Sequence, residues 1–185
     1  MPRRKRSSRA PRKAASRRPA TRASGKPDAL RMLKEDHQRV QALFARFERT
    51  RGEAAKQRLA ETICQELTLH ARLEEEIFYP ATRKAIRDDD LMNEAEVEHA
   101  SAKDLIVQIE ASSASDPRYD ALVTVLGEYV KHHVKEEETE MFKKVREAGL
   151  DLRALGEAMQ ERKRALGGAE GQAKGTLASF FSRSR

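Results

Sequence analysis

The sequence predicts an all-α protein: an antiparallel up-down-up-down four-helix bundle with a short extra C-terminal helix and a disordered basic N-terminal tail. Three observations predict it. Charged residues make up 36% of the 185-residue chain against 38% hydrophobic, with no Trp and six Pro. That balance suits amphipathic helices better than a Val- and Thr-rich sheet. Apolar residues recur at steps of three and four through four long segments. The breaks between these segments are short, and a short connection returns the chain antiparallel.

Taken in order, residues 1–27 hold eleven Lys or Arg and no Asp or Glu, with no aliphatic side chain larger than Ala after Met1. Such a segment buries too little surface to offset its ordering entropy, so a disordered tail is expected. The first helix starts at Asp28, with Leu33, His37, Val40, Phe44 and Phe47 on one stripe. After a break at 51–53, the second helix runs from about Ala54 to Ala85 with Leu59, Ile63, Leu67, His70, Glu74 and Ile77 on one side. The Asp run at 88–90 ends it and offers an N-cap to the third helix, whose stripe is Leu91, Ala95, His99, Ala102 and Ile106. Asp116 as N-cap and Pro117 at the first helical position launch a fourth helix from about Arg118 to Glu147, which Gly149 stops. A fifth amphipathic helix from Leu152 to Leu166 precedes a loose tail. The expected division is a basic tail (1–27), the bundle (28–148), and a short helix with a flexible end (149–185).

The net charge of +7 belongs to the tail. Of 37 basic residues eleven lie in 1–27, which leaves 26 against 30 acidic residues in the body. The tail suits a solubilising arm or a targeting peptide, or equally a sequence-independent tether to nucleic acid that displaces counterions from phosphates. A single Cys64 gives no internal disulfide and is expected to be a small core residue. No apolar run approaches the roughly 18 residues needed to span a bilayer. The composition therefore leads to an expectation of a soluble, cytoplasmic protein with no membrane partner.

Polar residues inside apolar stripes carry the chemistry. Asp36-His37 and Glu98-His99 are 62 positions apart, and His70 and His133 are 63 apart. At the second offset Glu74 falls on Glu137. A helix with a lone His followed by a helix with His-x-x-x-Glu thus occurs twice. Residues i and i+4 lie about 40° apart around a helix, so such a pair converges on one interior point. Four imidazoles and two carboxylates suit iron, manganese or zinc better than calcium, and bridging carboxylates favour two metals over one. Left unpaired, these groups would cost several kcal/mol each in desolvation. In the fourth helix His132 with Glu136 competes with His133 with Glu137. The second register maps Leu59, Ile63, Leu67, Phe78 and Tyr79 onto Leu122, Leu126, Val130, Met141 and Phe142, all apolar or aromatic, and is preferred. Glu75, Glu76, Glu136 and Glu138 are expected on solvated faces.

The ordered set of a lone His, "HARLEEEIFYP", "EVEHASAKDL" and "HHVKEEETEMF" resembles the hemerythrin-like cation-binding domain over about residues 29–147. The resemblance implies two iron ions with an oxo or hydroxo bridge, Mn or Zn being substitutes. By motif position it implies the ligands His37, His70, Glu74, His99, His133 and Glu137. Oxygen-carrying members of that family have a further His one turn after the third-helix His, and here that position is Lys103. The remaining ligand set is similar to members associated with iron sensing, nitric oxide or peroxide chemistry and iron-sulfur repair. Lys103 either extends from a helix flank to solvent or brings its ammonium to an open metal position. The function implied is binding or reduction of a small oxidant (O2, peroxide or NO). The alternative is an iron or oxygen sensor or store whose occupancy controls bundle stability and partner binding. Residues 1–27 would add non-specific nucleic acid binding to either.

Overall fold

A computed structural model of the protein describes residues 28–170. The expected disordered tail at 1–27 lies outside the described residues. Among those described there are helices and no strands. The first rod is α1 (Ala29–Arg49). The second joins α2 (Glu53–Leu73), a π-helical turn (Glu74–Phe78) and α3 (Tyr79–Ile86). The third is α4 (Asp89–Glu110). The fourth joins α5 (Tyr119–Glu136), a second π-helical turn (Glu137–Met141) and α6 (Phe142–Glu147). A fifth, α7 (Leu152–Glu170), lies outside this set.

Local chemistry sets the ends. Asp28 caps α1 by accepting from the Leu30 N–H at 2.9 Å, and Asp88 caps α4 by accepting from the Leu91 N–H at 3.2 Å. Gly149, at φ 70°, takes the left-handed conformation that ends the fourth rod. Asp116 differs from its expected role. Its side chain accepts from the Arg118 N–H at 2.7 Å and its carbonyl from the Tyr119 N–H at 3.0 Å, closing a turn that contains Pro117. The helix therefore starts at Tyr119. Helix α7 continues past Leu166 to Glu170, taking Gly167 and Gly168 into its last turn.

Neighbouring rods pack in a ring, α1 on α2, α2 on α4, α4 on α5 and α5 on α1, while α7 lies against α1 and α2. Gly127 in α5 admits the Phe44 ring of α1, since a Cβ there would stand 3.1 Å from it. The apolar interior divides in two. One cluster gathers Leu33, Leu73, Phe78, Met92, Met141, Phe142 and Met159. The other gathers Val40, Ile63, Cys64, Leu67, Ile106, Leu126 and Val130, so Cys64 is a buried core residue as expected. In the first two rods the divide falls at the histidine, where Leu33 and Val40 flank His37 and Leu67 and Leu73 flank His70; in the fourth it falls between Val134 and Met141, at Glu137. A polar layer thus separates two half-cores.

Candidate metal centre

The six residues singled out in the sequence meet in that layer. His37, His70, Glu74, His99, His133 and Glu137 are all buried, the two glutamates at 0% and 1% exposure. Their donor atoms form two groups, His37, His70, Glu74 and Glu137 in one and Glu74, His99 and His133 in the other. Glu74 belongs to both. Its Oε2 lies 3.2 Å from His70 Nε2 and 3.3 Å from His99 Nε2, and Glu137 Oε2 lies 3.2 Å from His37 Nε2. The imidazoles face one another in pairs, His37 Nε2 3.2 Å from His70 Nε2 and His99 Nε2 3.3 Å from His133 Nε2. His132 stays outside, its side chain 61% exposed.

The imidazole pairs are within hydrogen-bonding geometry, but the carboxylate approaches are not. All four carboxylate oxygens of Glu74 and Glu137 are buried with no hydrogen-bond partner among the described residues. Buried carboxylates without partners are costly, and a cation between the donors removes the cost. Donors about 2.1 Å from a common ion, at right angles to it, stand about 3.0 Å apart, close to the separations found. Imidazole and carboxylate together are the donor set of first-row transition metals. The residues therefore fit a metal centre.

Carboxylates behind the histidines orient them. His37 Nδ1 pairs with Glu138 at 2.9 Å, His99 Nδ1 with Glu75 at 2.9 Å, and His133 Nδ1 with Glu98 at 2.8 Å. A proton held on Nδ1 turns the Nε2 lone pair inward. His70 has only the longer approach of Asp36, 3.9 Å from its Nδ1. Asp36 is instead engaged by Lys163 of α7 at 2.7 and 2.8 Å and by Arg39 at 2.8 Å. The solvated-face expectation fails for Glu75 and Glu138, because adjacent rods bring a histidine within reach of each. Glu76 does lie towards the surface, bonded to Arg72 and Arg162. Glu136 is half-buried beside His132. Lys103 takes neither expected course: its Nζ bonds Glu75 at 2.6 Å and thereby supports the carboxylate that holds His99.

The repeat is broken beside the imidazoles at Tyr79. Tyr79 and Phe142 are equivalent, but the Tyr79 hydroxyl lies 3.1 Å from His99 Nε2 and 3.4 Å from His133 Nε2, whereas the Phe142 ring stacks against His37. Burial and the surrounding carboxylates, Glu74 first among these, hold the phenol well above its usual range, so it stays protonated. A cavity of about 800 Å³ opens beside the layer, lined by all four buried histidines and by Val40, Leu67, Ile106 and Val130.

Within the layer burial opposes charge on His70, His99 and the two glutamates, and their neighbours decide the outcome. Burial disfavours the His70 imidazolium, but Glu74 and Asp36 outweigh it and raise its pKa to about 10. Burial acts likewise on His99, which Glu74 and Glu75 raise to about 9. Burial raises Glu74, but His70 and His99 hold its carboxyl well below the usual range. Burial and repulsion from Glu74 raise Glu137.

Lys163 of α7 reaches this network through Asp36. Lys163→Met is expected to destabilise the fold by about 1–3 kcal/mol, because Asp36 stays buried with one ionic bond fewer. Thermal melts should show a drop of about 3–10 °C, largely restored in Lys163→Arg.

Fold and site together define a helical-bundle protein with a buried His/Glu cluster that fits a metal centre. A model of the family described as the Hemerythrin HHE cation binding domain matches residues 28–145. The chain belongs to this family, and its bundle is a metal-binding domain. A crystal structure of a hemerythrin HHE cation binding domain-containing protein from Mycobacterium kansasii shares the fold. It has a TM-score of 0.69 and 23% identity, covering 86% of this chain and 95% of that one. A protein of Nostoc sp. (strain PCC 7120 / SAG 25.82 / UTEX 2576) named DNA nickase is 34% identical over 119 residues, 64% of this chain. This chain spans 33% of that relative's length. No described helix is long and apolar enough to cross a membrane.

Proposed function

We propose that the bundle, residues 28–148, holds two iron ions and uses them to bind or reduce a small oxidant: O2, peroxide or NO. His37, His70 and Glu137 would hold one ion and His99 and His133 the other, with Glu74 within reach of both donor groups. The observation that carries this reading is the set of four unpartnered carboxylate oxygens between two facing imidazole pairs. When bound, the iron pair supplies the open positions and electrons that the chemistry requires.

The chain's own residues do the rest. Glu138, Glu75 and Glu98 hold protons on Nδ1 of their histidines. The two half-cores restrict water above and below the layer. Tyr79 keeps a proton on its hydroxyl at the His99 and His133 side. Reconstitution with ferrous iron without oxygen, followed by each oxidant in turn, tests the reading; fewer than about one iron per chain would sink it.

Proton release is a second check. His70 and His99, raised to about 10 and about 9, carry protons at neutral pH, whereas ligation requires neutral imidazole. Loading the metal-free protein at pH 7 in weak buffer is expected to release at least about two protons per chain, read with an indicator dye.

A second reading concerns residues 1–27, whose eleven basic residues suit a polyanion. The name of the Nostoc relative favours DNA. We propose that this segment places the iron centre on DNA without reading bases. Binding to duplex DNA should weaken steeply with salt and disappear on deletion of residues 1–27; a shift that survives the deletion would refute it.

A further inference from the structure

His132 was set aside from the interior, and its surroundings are specific. Its Nε2 lies 3.2 Å from Glu136 Oε1, one turn along the fourth rod, and 3.5 Å from Glu98 Oε1 on α4. The three offer donor atoms close enough to share one ion. An i,i+4 His-Glu pair alone is an ordinary feature of exposed helices. Here the third member ties the group to the centre, since the other oxygen of Glu98 holds His133 Nδ1 at 2.8 Å.

The internal repeat gives a comparison. Asp36 occupies the position equivalent to Glu98, and Lys163 places an ammonium against both of its oxygens. A built-in cation completes that half. In the half around Glu98, the positions equivalent to Leu69 and Leu73 are His132 and Glu136, two further donors. A cavity of about 10 Å³, room for about one water or ion, lies beneath them. Its lining includes Glu98 and Glu136 from the outer group and His133 and Glu137 from the inner layer. Glu137 is 1% exposed and both its carboxylate oxygens lack a partner.

We infer that His132, Glu98 and Glu136 form an outer site for a first-row divalent cation, from which ions pass to the interior centre along the Glu136–Glu137 side. The feeding role rests on the reading of the interior as a metal centre. Imidazole with two carboxylates is an open, incomplete ligand set, suited to binding an ion weakly and releasing it. Glu98 both receives the cation and orients His133, so it is unsuitable as a test residue. His132 lies at the surface and Glu136 is half-buried beside it, and neither belongs to the interior donor set.

The experiment titrates Co2+ into the metal-free full-length protein, counts ions by equilibrium dialysis, and follows interior loading by stopped-flow absorption. Wild type is expected to bind two ions tightly and a third more weakly. His132→Ala and Glu136→Gln should keep the two, bind the third at least about tenfold more weakly, and load the interior about tenfold more slowly. Two interior ions loaded at the wild-type rate in both variants, or no third ion in wild type, would overturn this inference alone. A weak outer ion with an empty interior in wild type would overturn the feeding role together with the reading of the centre.

Discussion

Glu74→Gln is expected to lower bound iron from about two ions per chain to fewer than one after anaerobic reconstitution, measured by elemental analysis. The reason is its shared position, with one oxygen within 3.3 Å of histidines from both donor groups. An amide has no charge to offset two cations, and its NH2 would meet imidazole lone pairs. In the metal-free protein the change is milder, since His70 and His99 can lose their protons once the carboxylate is gone. Helical content should persist while metal is lost. Glu76→Gln serves as the control, because Glu76 lies at the surface with Arg72 and Arg162. Two ions retained in Glu74→Gln would remove that carboxylate from the site.

Metal loading is expected to raise the melting temperature by about 8–16 °C, the second large effect. A ligand at 1,000 times its dissociation constant stabilises the fold by about 4 kcal/mol, and each kcal/mol moves a domain of about this size by about 2–4 °C. The polar layer explains why the metal-free state has stability to gain: two half-cores meet across paired charges and unpartnered oxygens instead of apolar contacts. The difference should also depend on pH. His70 and His99 have folded pKa values of about 10 and about 9, above the unfolded 6.5. Their contribution to the metal-free fold is complete below pH 6.5 and lost as pH rises through about 9 and 10. Glu74, lowered below 4.5, contributes above 4.5 and loses that contribution as pH falls through its folded value. The metal-free protein should therefore weaken from pH 6.5 upward. Metal affinity should strengthen over the same range as fewer protons compete. Equal melting temperatures with and without metal at pH 8 would argue against both the centre and the sensing alternative.

The rods and the polar layer were legible because helical periodicity is local. His37, His70, His99 and His133 interrupt otherwise apolar stripes, and the 62- and 63-residue repeats associate them before any contact is known. The orienting carboxylates were not legible for the opposite reason. Glu75 and Glu138 follow Glu74 and Glu137 directly, where a helix turns away from the interior, so each reads as solvated until the neighbouring rod supplies its histidine. Glu98 adjoins His99 in sequence yet bonds His133. Lys103 likewise found its partner, Glu75, on another rod. Such pairings depend on how closely rods approach, which a single helix pattern does not encode. The α7 contribution through Lys163 depends on a fifth rod whose docking face the sequence left unassigned.

Both π-helical turns begin at the two buried glutamates, and each is closed by a bond reaching back five residues: the Tyr79 N–H to the Glu74 carbonyl, and the Phe142 N–H to the Glu137 carbonyl. Such a turn holds one residue more than a regular helix would need. Removing that residue would restore ordinary helical bonding and rotate everything beyond it by about 100°. Either the glutamate or the Phe78-Tyr79 and Met141-Phe142 packing would then leave the interior. The extra residue is what allows one rod to present a carboxylate and the aromatic wall beneath it to the same side. A shorter, more regular chain would gain helix and lose its centre.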